Sequence, residues 1–183
     1  MHPSRNAHQN SGPARVSHGL FWAWVVNDLE ELVTMGPWSR SNAAELSRRA
    51  PIALPDWAKE GLDETHVRVS IAVMGGVMYA FSARGVATGG RSRLYQAALL
   101  GFGLHGFTHL TNSMSWRSYT PGVVTAPTVV IPFSALALRR LAKAGVLSLD
   151  RTTVGIAAVG PPALMVAIHI LTGEALRRLR TRR

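Results

Sequence analysis

The stretch Phe21-Trp22-Ala23-Trp24-Val25-Val26-Asn27-Asp28-Leu29-Glu30-Glu31-Leu32-Val33 decides how the chain is read. Its two ends are apolar enough to enter a bilayer, and its middle carries one amide and three carboxyls. Of the ten acidic residues in the chain, only Asp28, Glu30 and Glu31 fall inside a segment fit to cross a membrane. At 100° per residue Asn27 and Glu31 lie about 40° apart, with Glu30 about 60° to the other side. These three share one polar arc, Asp28 falls outside it, and Trp22 and Trp24 are placed to wall a site. An Asp or Glu at a helix centre costs about 2.5–3.5 kcal/mol on insertion scales. Such a helix needs polar partners elsewhere in a bundle.

The rest of the chain supports a membrane setting. Apolar residues make up 47% of the 183 and charged residues 16%, against about a quarter charged in a soluble domain. The apolar residues come in blocks, at 69–83, 94–114, 122–138 and 154–171, each near the roughly 20 residues that span about 30 Å of hydrocarbon. The expected fold is an all-α polytopic membrane bundle of about five transmembrane helices, at 18–36, 67–84, 94–114, 122–140 and 152–173. Gly36-Pro37 reads as the stop of the first helix. Gly75-Gly76 in the second allows close helix approach. Residues 38–65 read as a connection on the membrane surface, with a helix start at Ser41-Asn42, breaks at Pro51 and Pro55, and Trp38 and Trp57 as interface anchors. Residues 1–17 read as a disordered polar tail without the apolar core of a signal peptide, and 177–183 as a basic tail.

The net charge is +10, but the arginines lie between the apolar blocks and at the end. That pattern fits anionic lipid headgroups and argues against nucleic acid. The loop charges nearly balance across five crossings, and the dense C-terminal block favours a cytoplasmic C-terminus for a multi-pass protein of the cell membrane. The chain has no cysteine, which excludes disulfides and thiolate ligands.

A second polar stripe answers the first. His105, His109, Asn112 and Trp116 follow i, i+4, i+7, i+11 spacing on one helix face. Two His four residues apart can bind a single metal, although no Glu follows His105 as in the zinc proteases. His169 is a third imidazole. With Glu30 or Glu31 as a carboxylate, His105, His109, Glu31 and His169 make a donor set suited to zinc or iron. The competing reading is packing: His pairs at this spacing arise by chance, a lone membrane His such as His169 bonds a neighbouring carbonyl, and the acidic cluster can pair with an Arg.

Five residues are the candidates for chemistry: Glu30, Glu31, Asn27, His105 and His109. The expected activity is a membrane enzyme acting on a lipid or isoprenoid substrate. One route is metal-assisted hydrolysis. The other is protonation of an alkene or epoxide by a buried Glu, with Trp22 or Trp24 steadying the cation. A proton-coupled transporter or carrier and an accessory membrane subunit are the rivals, and the oligomeric state stays open.

The chain resembles a family of small bacterial integral membrane proteins named for a His-x-x-Glu-Glu motif. The run Asn27-Asp28-Leu29-Glu30-Glu31 followed by Gly36-Pro37-Trp38 carries the likeness. So do His105-Gly106-Phe107-Thr108-His109 and the turn Tyr119-Thr120-Pro121-Gly122-Val123-Val124-Thr125. The resemblance covers about residues 20–176 and implies a fold and a site, not a reaction. Asn27 stands where the family has His, and Asn is a poor zinc ligand.

Overall fold

A computed structural model describes residues 6–51 and 53–182, with side chains from 16 onward. Among the described residues the chain is all helix and no strand. The elements are α1 (Asn6–Ser41), α2 (Ala43–Arg49), a 3₁₀ turn (Asp56–Ala58), α3 (Glu64–Ala87), α4 (Arg93–Trp116), a π-helical turn (Ala126–Val130) running into α5 (Ile131–Lys143), and α6 (Arg151–Thr181).

The long elements alternate in direction. Arg40 at the end of α1 donates to the Leu62 carbonyl just before α3 (3.0 Å). At the opposite end Arg93, opening α4, pairs with Asp150, the cap of α6 (3.0 Å). Arg180 near the end of α6 returns to Asp63, the cap of α3 (2.7 Å). So α1, α4 and α6 run one way and α3 and α5 the other. Asp63, Ser92 and Asp150 each accept a first-turn backbone N–H of the following helix, the ordinary cap that satisfies an orphan donor.

α4 is the hub, and glycines let its neighbours close in. A Cβ on Gly101 would lie 2.6 Å from Pro161 of α6, and one on Gly106 2.8 Å from Ile131 of α5. On α3, a Cβ at Gly85 would lie 2.6 Å from the ring of Tyr95, which is fully buried. Of the Gly75-Gly76 pair only Gly75 meets a neighbour, Trp24 at 2.9 Å; Gly76 faces open space.

α1 is built inside out. Val16, Leu20, Trp24, Asn27, Asp28 and Glu31 are buried, while Trp22 (64%), Leu29 (56%) and Val33 (68%) face outward. Asp28, which the narrow polar arc leaves outside, is therefore inside. The buried face spans well over 100° because α3 packs on one flank of α1 and the turn before α5 on the other.

Several expected boundaries move. The first helix does not stop at Gly36-Pro37. The Trp38 indole donates to the Tyr119 carbonyl (2.9 Å) and Ser39 Oγ accepts from the Leu62 N–H (2.9 Å), and these tertiary bonds hold the last turn together past the proline. Residues 6–17, expected as a disordered tail, are the opening turns of α1; 1–5 lie outside the described residues. The basic tail expected at 177–183 is the end of α6 as far as Thr181, anchored through Arg180. The fourth block starts in a π-helical turn, because Pro127 and Pro132 remove two donors from its first turns. Of the five helices expected to be transmembrane, two are long and apolar enough to cross by length and composition, Glu64–Ala87 (mean hydropathy 1.4) and Arg151–Thr181 (mean hydropathy 2.0).

Gly85→Ala should destabilise the fold by about 1–3 kcal/mol, since the methyl overpacks the Tyr95 ring. Gly76→Ala, with no neighbour to meet, should be neutral or stabilise by up to about 1 kcal/mol through helix propensity. Thermal unfolding of the two variants side by side in one detergent checks the contrast.

Candidate functional site

The parallel packing of α1 and α4 brings the two polar stripes into register. Glu31 Oε1 lies 3.1 Å from His109 Nε2 and 4.0 Å from His105 Nε2. Seven residues on from Glu31 and His109, Trp38 meets Trp116 edge to face at 4.9 Å. The His105 and His109 rings are 4.2 Å apart and inclined at 67°. One donor atom from each of Glu31, His105 and His109 falls within 4.8 Å of the others. His109 Nε2 is buried and has Glu31 Oε1 as its close polar neighbour at 3.1 Å.

The neighbours orient this trio. The Thr108 hydroxyl donates to the His105 carbonyl (2.7 Å), so its oxygen accepts from His105 Nδ1 at 3.3 Å. That fixes the proton on Nδ1 and leaves Nε2 with its lone pair toward Glu31, the usual second contact of a ligating histidine. Asn27 Nδ2 donates to Glu31 Oε1 and to Asp28 Oδ2, both at 3.4 Å. Gly122, at φ +83°, brings its backbone against the His109 ring; a Cβ there would lie 2.3 Å from Cε1. Only glycine fits that conformation and that closeness.

Glu30 does different work. Its Oε1 accepts from the Tyr119 hydroxyl (2.7 Å) and the Val124 N–H (3.3 Å), and its Oε2 from the Thr125 N–H (2.8 Å) and hydroxyl (2.6 Å). The Thr125 hydroxyl is shared with Asn27 Oδ1 at 3.0 Å. Val124 and Thr125 open the helical run that becomes α5, so Glu30 caps that run from a different helix. Negative charge at a helix start is favourable, and the donors would otherwise be orphans. Glu30 thereby pins the turn whose Gly122 presses on His109.

Glu31 and His105 border a cavity of about 540 Å³, partly open to the outside and lined by residues of α1, α3, α4 and α6; His109 does not line it. Glu31, His105, Asp28 and Asn112 reach its wall, as does Trp24. Trp22 faces outward and takes no part. His169 also reaches the cavity but stands apart from the trio. Its Nδ1 lies 2.9 Å from Nε2 of His66, the rings stacked at 5.2 Å and 9°, with Trp57 stacked on His66 at 5.0 Å. A Cβ on Gly173 of α6 would meet the Trp57 ring at 2.4 Å. Trp57, expected as an interface anchor, is thus a packing partner inside the fold. Of the sequence candidates, Glu31, His105 and His109 come together, Asn27 braces them, Glu30 is turned to the α5 cap, and His169 pairs elsewhere. Asp28, His66, Thr108 and Thr125 were not singled out as site residues. The signal for Asp28 was its place among the buried positions of α1. For His66 no pattern in the sequence points across to His169.

The sequence model of a family described as "Protein of unknown function with HXXEE motif" matches residues 19–137. The chain belongs to the HXXEE-motif family. The match runs from Gly19 within α1 to Ala137 within α5, and takes in both the trio and the Glu30 cap. No curated protein and no solved structure matches the chain.

In this HXXEE-family protein the two adjacent glutamates have separate duties, and their substitutions should separate accordingly. Glu30→Gln should lower stability by about 1–3 kcal/mol, because an amide cannot accept all four donors and brings two of its own. Glu31→Gln leaves the α5 cap intact and should change stability less. Unfolding curves of the two purified variants test the division.

Proposed function

We propose that this protein is a five-span integral membrane protein of the cell membrane. On this reading Glu31, His105 and His109 hold a divalent cation, zinc or iron, at the wall of an apolar cavity, and the protein is a hydrolytic enzyme acting on a lipid or isoprenoid substrate. The observation that carries it is the convergence of one carboxylate and two imidazoles, of which Glu31 and His105 line a 540 Å³ cavity. Ligand pockets run about 300–1,000 Å³. Two imidazoles and one carboxylate are the donor set of a catalytic zinc site that keeps a position open.

The membrane reading draws on the inside-out character of α1 and on the outward faces of α4 and α6. Phe107, Met114, Val159 and Leu171 are all more than half exposed, at 54%, 75%, 67% and 70%. Polar inside and apolar outside is what a bilayer selects and water does not. Three further helices then cross in company with the two apolar ones, their polar groups turned to the interior. On this reading the alternating directions of the helices leave the start of α1 and the end of α6 on opposite sides, with the Arg-rich end of α6 on the cytoplasmic face.

A cation bound here supplies an acidified water and a Lewis acid for a substrate oxygen. The chain's own residues do the rest. Thr108 holds His105 in the ligating tautomer, Asn27 steadies Glu31, and the Glu30-pinned turn fixes His109. The walls beside them are mostly apolar. The acid route through Glu30 loses its donor, since both Glu30 oxygens are occupied as acceptors.

Protein purified without chelator should carry about one zinc or iron per chain, and cobalt should replace it with the absorption of a tetrahedral site. His105→Ala, His109→Ala and Glu31→Gln should each lose the metal, whereas His169→Ala should keep it. A wild-type protein that binds no divalent metal overturns the proposed site.

A further inference from the structure

The cavity is largely apolar, with its polar groups gathered toward one end. Toward the ends of α1, α4 and α6 it meets Asp28, Glu31, His105, Asn112 and His169; toward their beginnings it meets Trp24, Met74, Met78, Phe81 and Phe102. It is also long. Along α4 it runs from Leu94 to beyond His105, and those eleven residues alone rise about 16 Å.

Its size sets the occupant. An engineered 150 Å³ apolar cavity accepts one benzene, six carbons, so on the same scale 540 Å³ takes about 20 non-hydrogen atoms. A two-chain phospholipid is far too large. A compact polar metabolite would leave the apolar part unfilled.

We infer that the site takes a single-chain amphiphile of about 20 heavy atoms, an acyl or isoprenoid chain with an oxygen-bearing head. The head sits against Glu31 and His105, and the chain lies along α4 toward Phe81 and Leu94. The inference rests on the proposed metal site for the placing of the head and on the cavity alone for the chain. Small side chains on α4 set its length. Ala97 and Ala98 are buried and line the apolar part, so any larger residue there shortens the room. Met78 of α3, also buried and lining that part, is the residue whose truncation lengthens it.

The protein in nanodiscs of two-chain phosphatidylcholine, loaded with a fluorescent fatty acid, can be titrated with saturated fatty acids of 8 to 22 carbons. Displacement should be strongest near about 16 carbons and at least about tenfold weaker at both ends of the series. Ala98→Phe should move the optimum to shorter chains. Met78→Ala should move it to longer ones, and carries the test if the first variant does not fold. A flat series overturns the inference. So does an optimum unmoved in every variant that folds, or phosphatidic acid competing as well as the best single chain. Cobalt absorption on the same samples separates the two readings. A length optimum without a metal site leaves this inference standing and removes the hydrolytic one. A metal site without a length optimum removes only this one.

Discussion

Everything in this fold answers to the burial of carboxyl groups on α1. Asn27, Asp28 and Glu31 are between 1% and 8% exposed, and a buried charge without partners costs several kcal/mol. The partners are therefore obligatory. α4 supplies two imidazoles, the turn before α5 supplies four donors to Glu30, and Asn27 ties the two sets together. The glycines at 101 and 106 let α5 and α6 press closely on α4, and the glycine at 122 closes the turn over His109.

The two glutamates of the motif show how adjacency in sequence becomes separation in role. Neighbours on a helix differ by about 100° in direction. That rotation is enough to turn Glu31 toward the imidazoles and Glu30 toward the start of the α5 run. A polar arc drawn through both is correct as geometry. It says nothing of which neighbouring helix covers which edge, and that is what divides their chemistry.

Much of the helical layout was legible. The apolar blocks place α3, α4 and α6 to within a few residues at most ends, because long uncharged runs have few alternatives. Helical spacing puts His105 and His109 on one face, and the expected meeting with the α1 carboxyls holds for Glu31 and not for Glu30. What could not be read depends on tertiary contact. α1 continues past Pro37 because bonds from Trp38 and Ser39 reach segments far along the chain. Asp28 is inside because two flanks of α1 are covered. His169 leaves the trio because His66, more than a hundred residues away, takes its Nδ1. Hydropathy also overstates the number of candidate crossings: by length and composition α3 and α6 qualify, whereas five were expected.

The cap on α5 has a consequence for assembly. The donors to Glu30 lie 89 to 95 residues downstream of it. At about 5–20 residues per second, α1 leaves the ribosome several seconds or more before those donors have been made. During that interval its carboxylates have only local company. Its final seat is thus set late in synthesis, when α4 and the Tyr119–Thr125 turn arrive. A nascent chain cut before residue 119 lacks all four of the donors that hold Glu30.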